Sequence, residues 1–93
     1  MRLVDGLYLE KMNRKEQLEG RYDSFLVADG FDEAILGMDE GSERVIYSIS
    51  KCVEVLEKEG MPREDAIDYL YYNCVGAYVG EKTPIWCWDL FEL

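Results

Sequence analysis

One helical stripe restricts the folds open to this 93-residue chain. Its apolar residues recur at i, i+3, i+4 and i+7, and they are Ile49, Cys52, Val53 and Leu56. Charged residues occupy the intervening positions, so such a helix buries one face only. A second layer of structure must cover that face, which favours a helix-on-sheet or helix-on-helix domain.

A β-hairpin is predicted directly before this helix. Residues 34–38 are a candidate strand, and residues 44–47 form a second one because they contain β-branched and aromatic side chains, which suit strands. Residues 39–43 combine acids, Gly and Ser, the composition of a turn. Ser48 or Ser50 is then expected to cap the helix at its N-terminus.

A second helix is predicted over residues 62–80, between the stop signal at Gly60 and a terminal Gly80. Pro62 suits a first helical turn, and acids there favour the positive end of the helix dipole. Its predicted apolar stripe is Ala66, Ile67, Leu70, Cys74, Ala77 and Tyr78. Residues 85–88 are predicted to form a third strand. The expected class is α+β: a small antiparallel sheet, made of the hairpin and the C-terminal strand, packed against two consecutive helices.

The length fits one domain, divided by composition near residue 30. Residues 1–30 show no clean periodicity beyond a short helix predicted between Asn13 and Gly20. Residues 31–93 form the expected compact acidic α+β domain and hold nine of the ten net negative charges. The expected core is Ile35, Val45, Ile49, Cys52, Val53, Leu56, Ile67, Leu70, Cys74 and Ala77.

Charge and composition exclude several functions. A net charge of −10 argues against direct binding of nucleic acid. No apolar run is long enough for a membrane span, and an acid at Asp5 interrupts any signal peptide. With no histidine, Ser-His-Asp and Cys-His catalysis are excluded. We expect no catalytic residues, no cofactor, no metal site and no membrane contact.

The three cysteines match no zinc or redox spacing. Their apolar neighbours predict buried, reduced thiols, as in a cytoplasm. The alternatives are a disulfide between Cys74 and Cys87 or a reactive thiol.

Four further patterns have structural explanations. The acids of residues 39–43 fit a solvated turn better than a cation site. Glu64, Asp65 and Asp68 could share acid and base roles, but a helix N-terminus also favours acids. Residues 80–83 lack the context of a phosphate-binding loop. The Gly76-x-x-x-Gly80 spacing is interpreted as allowing close packing.

Aromatic residues carry the most functional information. Four tyrosines crowd the second helix, which can direct only some of them inward, and two tryptophans lie two residues apart on the last strand. Tyr and Trp are common interface anchors, although an aromatic-rich core is the alternative. The candidate partner-binding residues are Glu64, Asp68, Tyr72, Trp86 and Trp88.

Residues 31–89 resemble a group of small phage-encoded proteins of unknown role. The likeness rests on residues 31–37, residues 45–48, the break at Gly60 and mainly a Gly-Ala-Tyr-Val-Gly-Glu-x-Thr-Pro stretch over residues 76–84. It implies a viral or prophage origin and a host-cytoplasm setting. It brings no catalytic residues.

The first hypothesis is a non-enzymatic acidic binding protein whose partner is a host or phage protein with a basic surface. In its sharpest form the protein inhibits a host nucleic-acid-handling or defence complex, since complementary charge speeds association. One alternative is a phage accessory or structural protein that acts by self-association as a homo-oligomer. The other is a small carboxylate-based enzyme.

Overall fold

The computed structural model describes residues 14–19 and 25–89. Within them the chain forms three α-helices, a 3₁₀ turn, a π-helical segment and three strands, an α+β fold as predicted. In chain order these are α1 (Arg14–Glu19), the 3₁₀ turn (Asp32–Ala34), β1 (Ile35–Met38), β2 (Val45–Ser48), α2 (Ile49–Lys58), α3 (Arg63–Leu70), the π segment (Tyr71–Val75) and β3 (Ile85–Cys87).

The predicted hairpin is confirmed. β1 and β2 pair antiparallel, and a bulge between Ile35 and Gly37 leaves Leu36 without a partner in the ladder. The Asp39 carboxylate closes the turn by accepting from the backbone N–H and the hydroxyl of Ser42, at 2.9 and 2.6 Å. Those hydrogen bonds lower the pKa of Asp39. The acids of this turn thus have a structural explanation.

The expectation of a purely antiparallel sheet was wrong. The strand order is β1-β2-β3, and β3 pairs with β2 in parallel. The reason lies in residues 76–84, which carry the chain back to the turn of the hairpin. There the Arg44 side chain donates to the Thr83 carbonyl, and Lys82 Nζ donates to the Ser42 carbonyl at 3.1 Å. β3 therefore begins beside the start of β2 and runs in the same direction.

Helix α2 agrees with its sequence signals. The Ser48 hydroxyl caps it by accepting from the Lys51 N–H at 3.1 Å. Gly60 adopts a φ of +101° just beyond its end. The four residues of the predicted stripe are all buried.

The second predicted helix is shorter than expected. Helix α3 ends at Leu70 and continues as the π segment, in which the Gly76 N–H donates to the Tyr71 carbonyl at 3.3 Å. Residues 76–80 are not helical, because their glycines and β-branched valine favour helices weakly. Thr83 fixes the loop instead: its hydroxyl accepts from Val79 N–H and donates to Gly80 C=O.

The core lies between the sheet and the helices and is centred on Tyr47, the largest fully buried side chain described. Of the expected core residues, Ile67 and Cys74 are only half-buried and Ala77 is exposed. For Cys74 and Ala77 the reason is that the regular helical phase ends at Leu70, directly before the π segment. The other seven are buried. Five buried apolar residues complete the core outside that expectation, namely Leu18, Phe31, Ala34, Tyr47 and Ala66.

Candidate binding face and groove

Trp86, a candidate site residue, packs against the core. It pairs across the sheet with Tyr47, and the two rings stack with centroids 4.9 Å apart and planes 19° apart. The ring is half-buried, and its indole N–H has no acceptor among the described residues. The candidate site residue Trp86 is therefore not a fully exposed surface residue. It forms part of one wall of a cavity.

That cavity is an open groove of about 510 Å³. The loop of residues 26–29 forms one wall, Tyr69 and Asn73 from α3 and the π segment form another, and Val79 and Trp86 form the third. Most of the lining is apolar. Among the described residues that line it there is one carboxylate, that of Asp29, and no cationic side chain.

The π segment shapes the helical wall of the groove. The Asn73 side chain folds back and donates to the Tyr69 carbonyl at 2.9 Å, while Cys74 lines the groove beside it. Single π turns within helices occur often at functional sites, because they shift side chains out of the regular helical positions. Here the shift coincides with the groove.

A second surface lies at the junction of the π segment and β3, and we call Tyr71, Tyr72 and Trp88 the aromatic patch. The Trp88 indole N–H donates to the Tyr71 hydroxyl at 2.7 Å, which joins the strand end to the helix. Tyr72 is 88% exposed and Trp88 is 37% exposed. Large aromatic side chains left in water in this way are typical of interface anchors.

Two carboxylates of α3 precede the patch in the chain. Glu64 and Asp68 are four residues apart, which places them on one face of α3, and Tyr72 follows four residues later in the π segment. We call Glu64 and Asp68 the acidic row. Both are exposed, and neither forms an ion pair or hydrogen bond within the described part of the chain. The structure thus leaves the row, Tyr72 and Trp88 exposed, and Trp88 is bonded to Tyr71, the residue that precedes Tyr72 in the chain.

The cysteines are all free, so the alternative of a Cys74–Cys87 disulfide is not formed. Burial raises the pKa of the Cys52 thiol to about 12 and also raises the pKa of Cys74. The expectation that all three are buried holds for Cys52 only, because Cys74 and Cys87 are half-buried. Burial likewise raises the pKa of Tyr47 to about 12.

Sequence reasoning did not find the groove. Its loop wall lies in residues 26–29, and its helical wall includes Asn73, neither of which was singled out. The apolar run of residues 25–28 was the available signal, but its partner surfaces come from elements more than forty residues away. No cluster of three or more His, Cys, Asp or Glu suited to a metal ion occurs in the described ranges.

The described helices offer no segment that is both long and apolar enough to cross a bilayer. The features with chemistry to offer are therefore the acidic row, the aromatic patch and the groove. Comparison with protein-family models, with curated proteins and with solved structures gives no match to this chain.

Proposed function

We propose that this chain is a non-enzymatic binding protein whose acidic row and aromatic patch engage a basic surface of another protein. The observation that carries the proposal is Tyr72, which is 88% exposed in the π segment directly after the helix that carries two exposed, unpaired carboxylates. A partner that covers the ring removes its apolar surface from water. Each Å² of apolar surface buried in this way stabilises the complex by roughly 25 cal/mol.

The negative charge of this chain favours a partner whose surface is positively charged. The chain has a net charge of −10, and neither carboxylate of the acidic row forms an ion pair in the described ranges. A basic partner would be attracted over a distance of roughly a Debye length, about 8 Å at physiological salt. Complementary charge of this kind raises the association rate more than the affinity, and desolvated aromatic anchors then slow dissociation.

The resemblance to small phage-encoded proteins supports a more specific form of the proposal. In that form the protein acts in the cytoplasm of a host cell and inhibits a nucleic-acid-handling or defence complex. Proteins that handle nucleic acid carry basic grooves, because they must bind phosphates. An acidic face with aromatic anchors is complementary to such a groove.

Self-association through the same face is less well supported. A twofold interface places the same patch of both copies together. The acidic row would then face its own copy, and like charges opposite each other are unfavourable. Acid–base catalysis is also less well supported, since Glu64, Asp65 and Asp68 are all exposed and lie outside the groove lining.

The test is a pull-down from a bacterial host lysate at low and high salt, with bound proteins identified by mass spectrometry. The double variant Glu64→Lys/Asp68→Lys and the single variant Tyr72→Ala should each lose the captured protein. The matched control is Glu40→Lys/Glu59→Lys, which makes the same change of charge at two exposed positions that are not part of α3. Capture that survives both changes to the face, or that is lost equally in the control, would contradict the proposal.

A further inference from the structure

We propose that the groove holds a short segment of the partner protein in which a large apolar side chain is followed or preceded by Lys or Arg. This inference rests on the proposed function, since it names the chemistry of the partner that the acidic face attracts. The groove and the aromatic patch are different surfaces, joined through the π segment. Each can therefore be altered separately.

Size and lining indicate the apolar half of this segment. At about 510 Å³ the groove falls within the range of roughly 300–1,000 Å³ usual for binding sites. Leu26 and Val79 line it and are themselves exposed, Val79 by 60%. Apolar side chains that line a concave surface and remain in water gain free energy when an apolar group covers them.

Charge indicates the basic half. Asp29 is exposed on the loop wall and is the one carboxylate among the described lining residues, which include no cation. Asp65 lies outside the lining but precedes the lining residue Tyr69 by four residues on the same face of α3. A cationic side chain entering the groove would meet the Asp29 carboxylate and no positive charge among the described lining residues.

Asn73 supplies a directional contact. One N–H of its side-chain amide is used by the Tyr69 carbonyl, and its amide oxygen has no donor among the described residues. This oxygen can accept from a backbone N–H of an extended segment, which a free apolar molecule does not offer. A second copy of this chain fits the groove poorly, because it also carries a charge of −10.

The experiment selects displayed random short peptides on the purified full chain, and then measures synthetic copies of the enriched peptides by fluorescence anisotropy. We expect enrichment of peptides with Leu, Phe or Trp next to Lys or Arg. Ala77→Trp should fill the groove from an exposed, non-helical position and weaken binding at least tenfold, which is about 1.4 kcal/mol. Asp29→Lys should weaken binding and reduce its salt dependence.

Two controls separate this inference from the proposed function. Glu40→Lys makes the same charge change as Asp29→Lys on the hairpin turn and should leave peptide affinity nearly unchanged. Tyr72→Ala removes the patch anchor and should also leave peptide affinity unchanged. Circular dichroism melts establish that each variant is folded, and Val79→Arg replaces Ala77→Trp if the latter is not.

Three outcomes would overturn the inference: no enriched peptide, enriched peptides without a basic residue, or equal binding to the groove-filled variant. If any of these occurs while lysate capture is still lost in Tyr72→Ala, the groove inference fails and the proposed function stands. If lysate capture also survives every change to the acidic face, both fail.

Discussion

Tyr47 connects the core, the loop wall and the groove through one side chain. Its ring is fully buried and stacks on Trp86, and its hydroxyl accepts from the Ala28 N–H at 2.6 Å. A buried hydroxyl without a hydrogen-bond partner would lower the free energy of unfolding by roughly 1–3 kcal/mol. Because the partner is the Ala28 N–H, this bond also holds the loop of residues 26–29 in position. The loop wall of the groove is therefore anchored from inside the protein.

Alkaline pH should destabilise the fold through two buried groups. Burial raises the pKa of Cys52 from 9.0 to about 12 and that of Tyr47 from 10.0 to about 12. Both groups keep their protons in the folded state where the unfolded chain has lost them. Their contribution is thus complete below pH 9 and is lost as the pH rises toward 12, by up to about 1.4 kcal/mol per pH unit for each group.

Urea unfolding at a series of pH values measures this effect. Wild type should keep a nearly constant free energy of unfolding from neutral pH up to pH 9 and lose it steadily above. Cys52→Ala should start lower and lose less between pH 9 and pH 10, where the tyrosine contributes little. Parallel curves for the two proteins would show that the thiol does not carry the loss.

At the scale of elements, the loop of residues 76–84 decides the topology. Gly80 adopts a φ of +111°. The Thr83 hydroxyl accepts a hydrogen bond from the Val79 N–H and donates one to the Gly80 carbonyl. Gly76 has ordinary backbone angles, and a Cβ there would meet only the Tyr71 carbonyl oxygen at 3.5 Å. The small-residue spacing thus reflects one required glycine, Gly80, and not the close packing that the sequence suggested.

The two glycines form a matched pair for mutation. Gly80→Ala should lower the free energy of unfolding by about 1–2 kcal/mol, because an alanine in the left-handed region is strained. Gly76→Ala should be neutral or slightly stabilising, since its backbone conformation suits alanine. Thermal melting of both variants measures the difference. Equal losses of stability would show that a side chain at position 80 introduces no strain.

Local signals were sufficient for some elements and insufficient for others. Helix α2 was predictable because its stripe, Ser48 cap and Gly60 stop all lie within thirteen residues. The end of α3 was not, since i→i+5 hydrogen bonding such as that from Gly76 N–H to the Tyr71 carbonyl changes the phase without a distinct sequence pattern. The direction of β3 was not predictable either, because it depends on contacts such as Arg44 with Thr83, thirty-nine residues apart.

At the scale of the whole molecule, negative charge is only slightly offset by ion pairs. Four ion pairs are seen between described residues, and all of their side chains are at least one-third exposed. Exposed pairs contribute roughly 0–1 kcal/mol each. With a net charge of −10, repulsion among acids should therefore reduce stability at low ionic strength.

Added sodium chloride should consequently raise the melting temperature of the wild type, because it screens that repulsion. The variant Glu64→Lys/Asp68→Lys has a net charge of −10 + 4 = −6 and should respond less to salt. Scanning calorimetry at two salt concentrations measures both responses. A wild-type melting temperature that falls with salt would mean that the exposed ion pairs outweigh the repulsion.

The candidate site was predictable only in part at this scale. Helical spacing was enough to place Glu64 and Asp68 on one face of α3, whereas Tyr72 lies in the π segment that follows it. The groove required knowledge of how the loop of residues 26–29 meets α3 and β3, which is information about tertiary contacts. The stacking of Trp86 on Tyr47, which separates it from Trp88, likewise depends on the parallel register of β3.

The unequal surroundings of the two tryptophans give the protein a pair of built-in optical reporters. Trp86 is packed against Tyr47, whereas Trp88 is partly in water and bonded to Tyr71. A neutral quencher such as acrylamide should reach Trp88 first, so Trp86→Phe leaves a fluorophore that responds to a partner at the aromatic patch. Trp88→Phe leaves one that responds to the groove and to unfolding. The same molecule can therefore report occupancy of each surface without any added label.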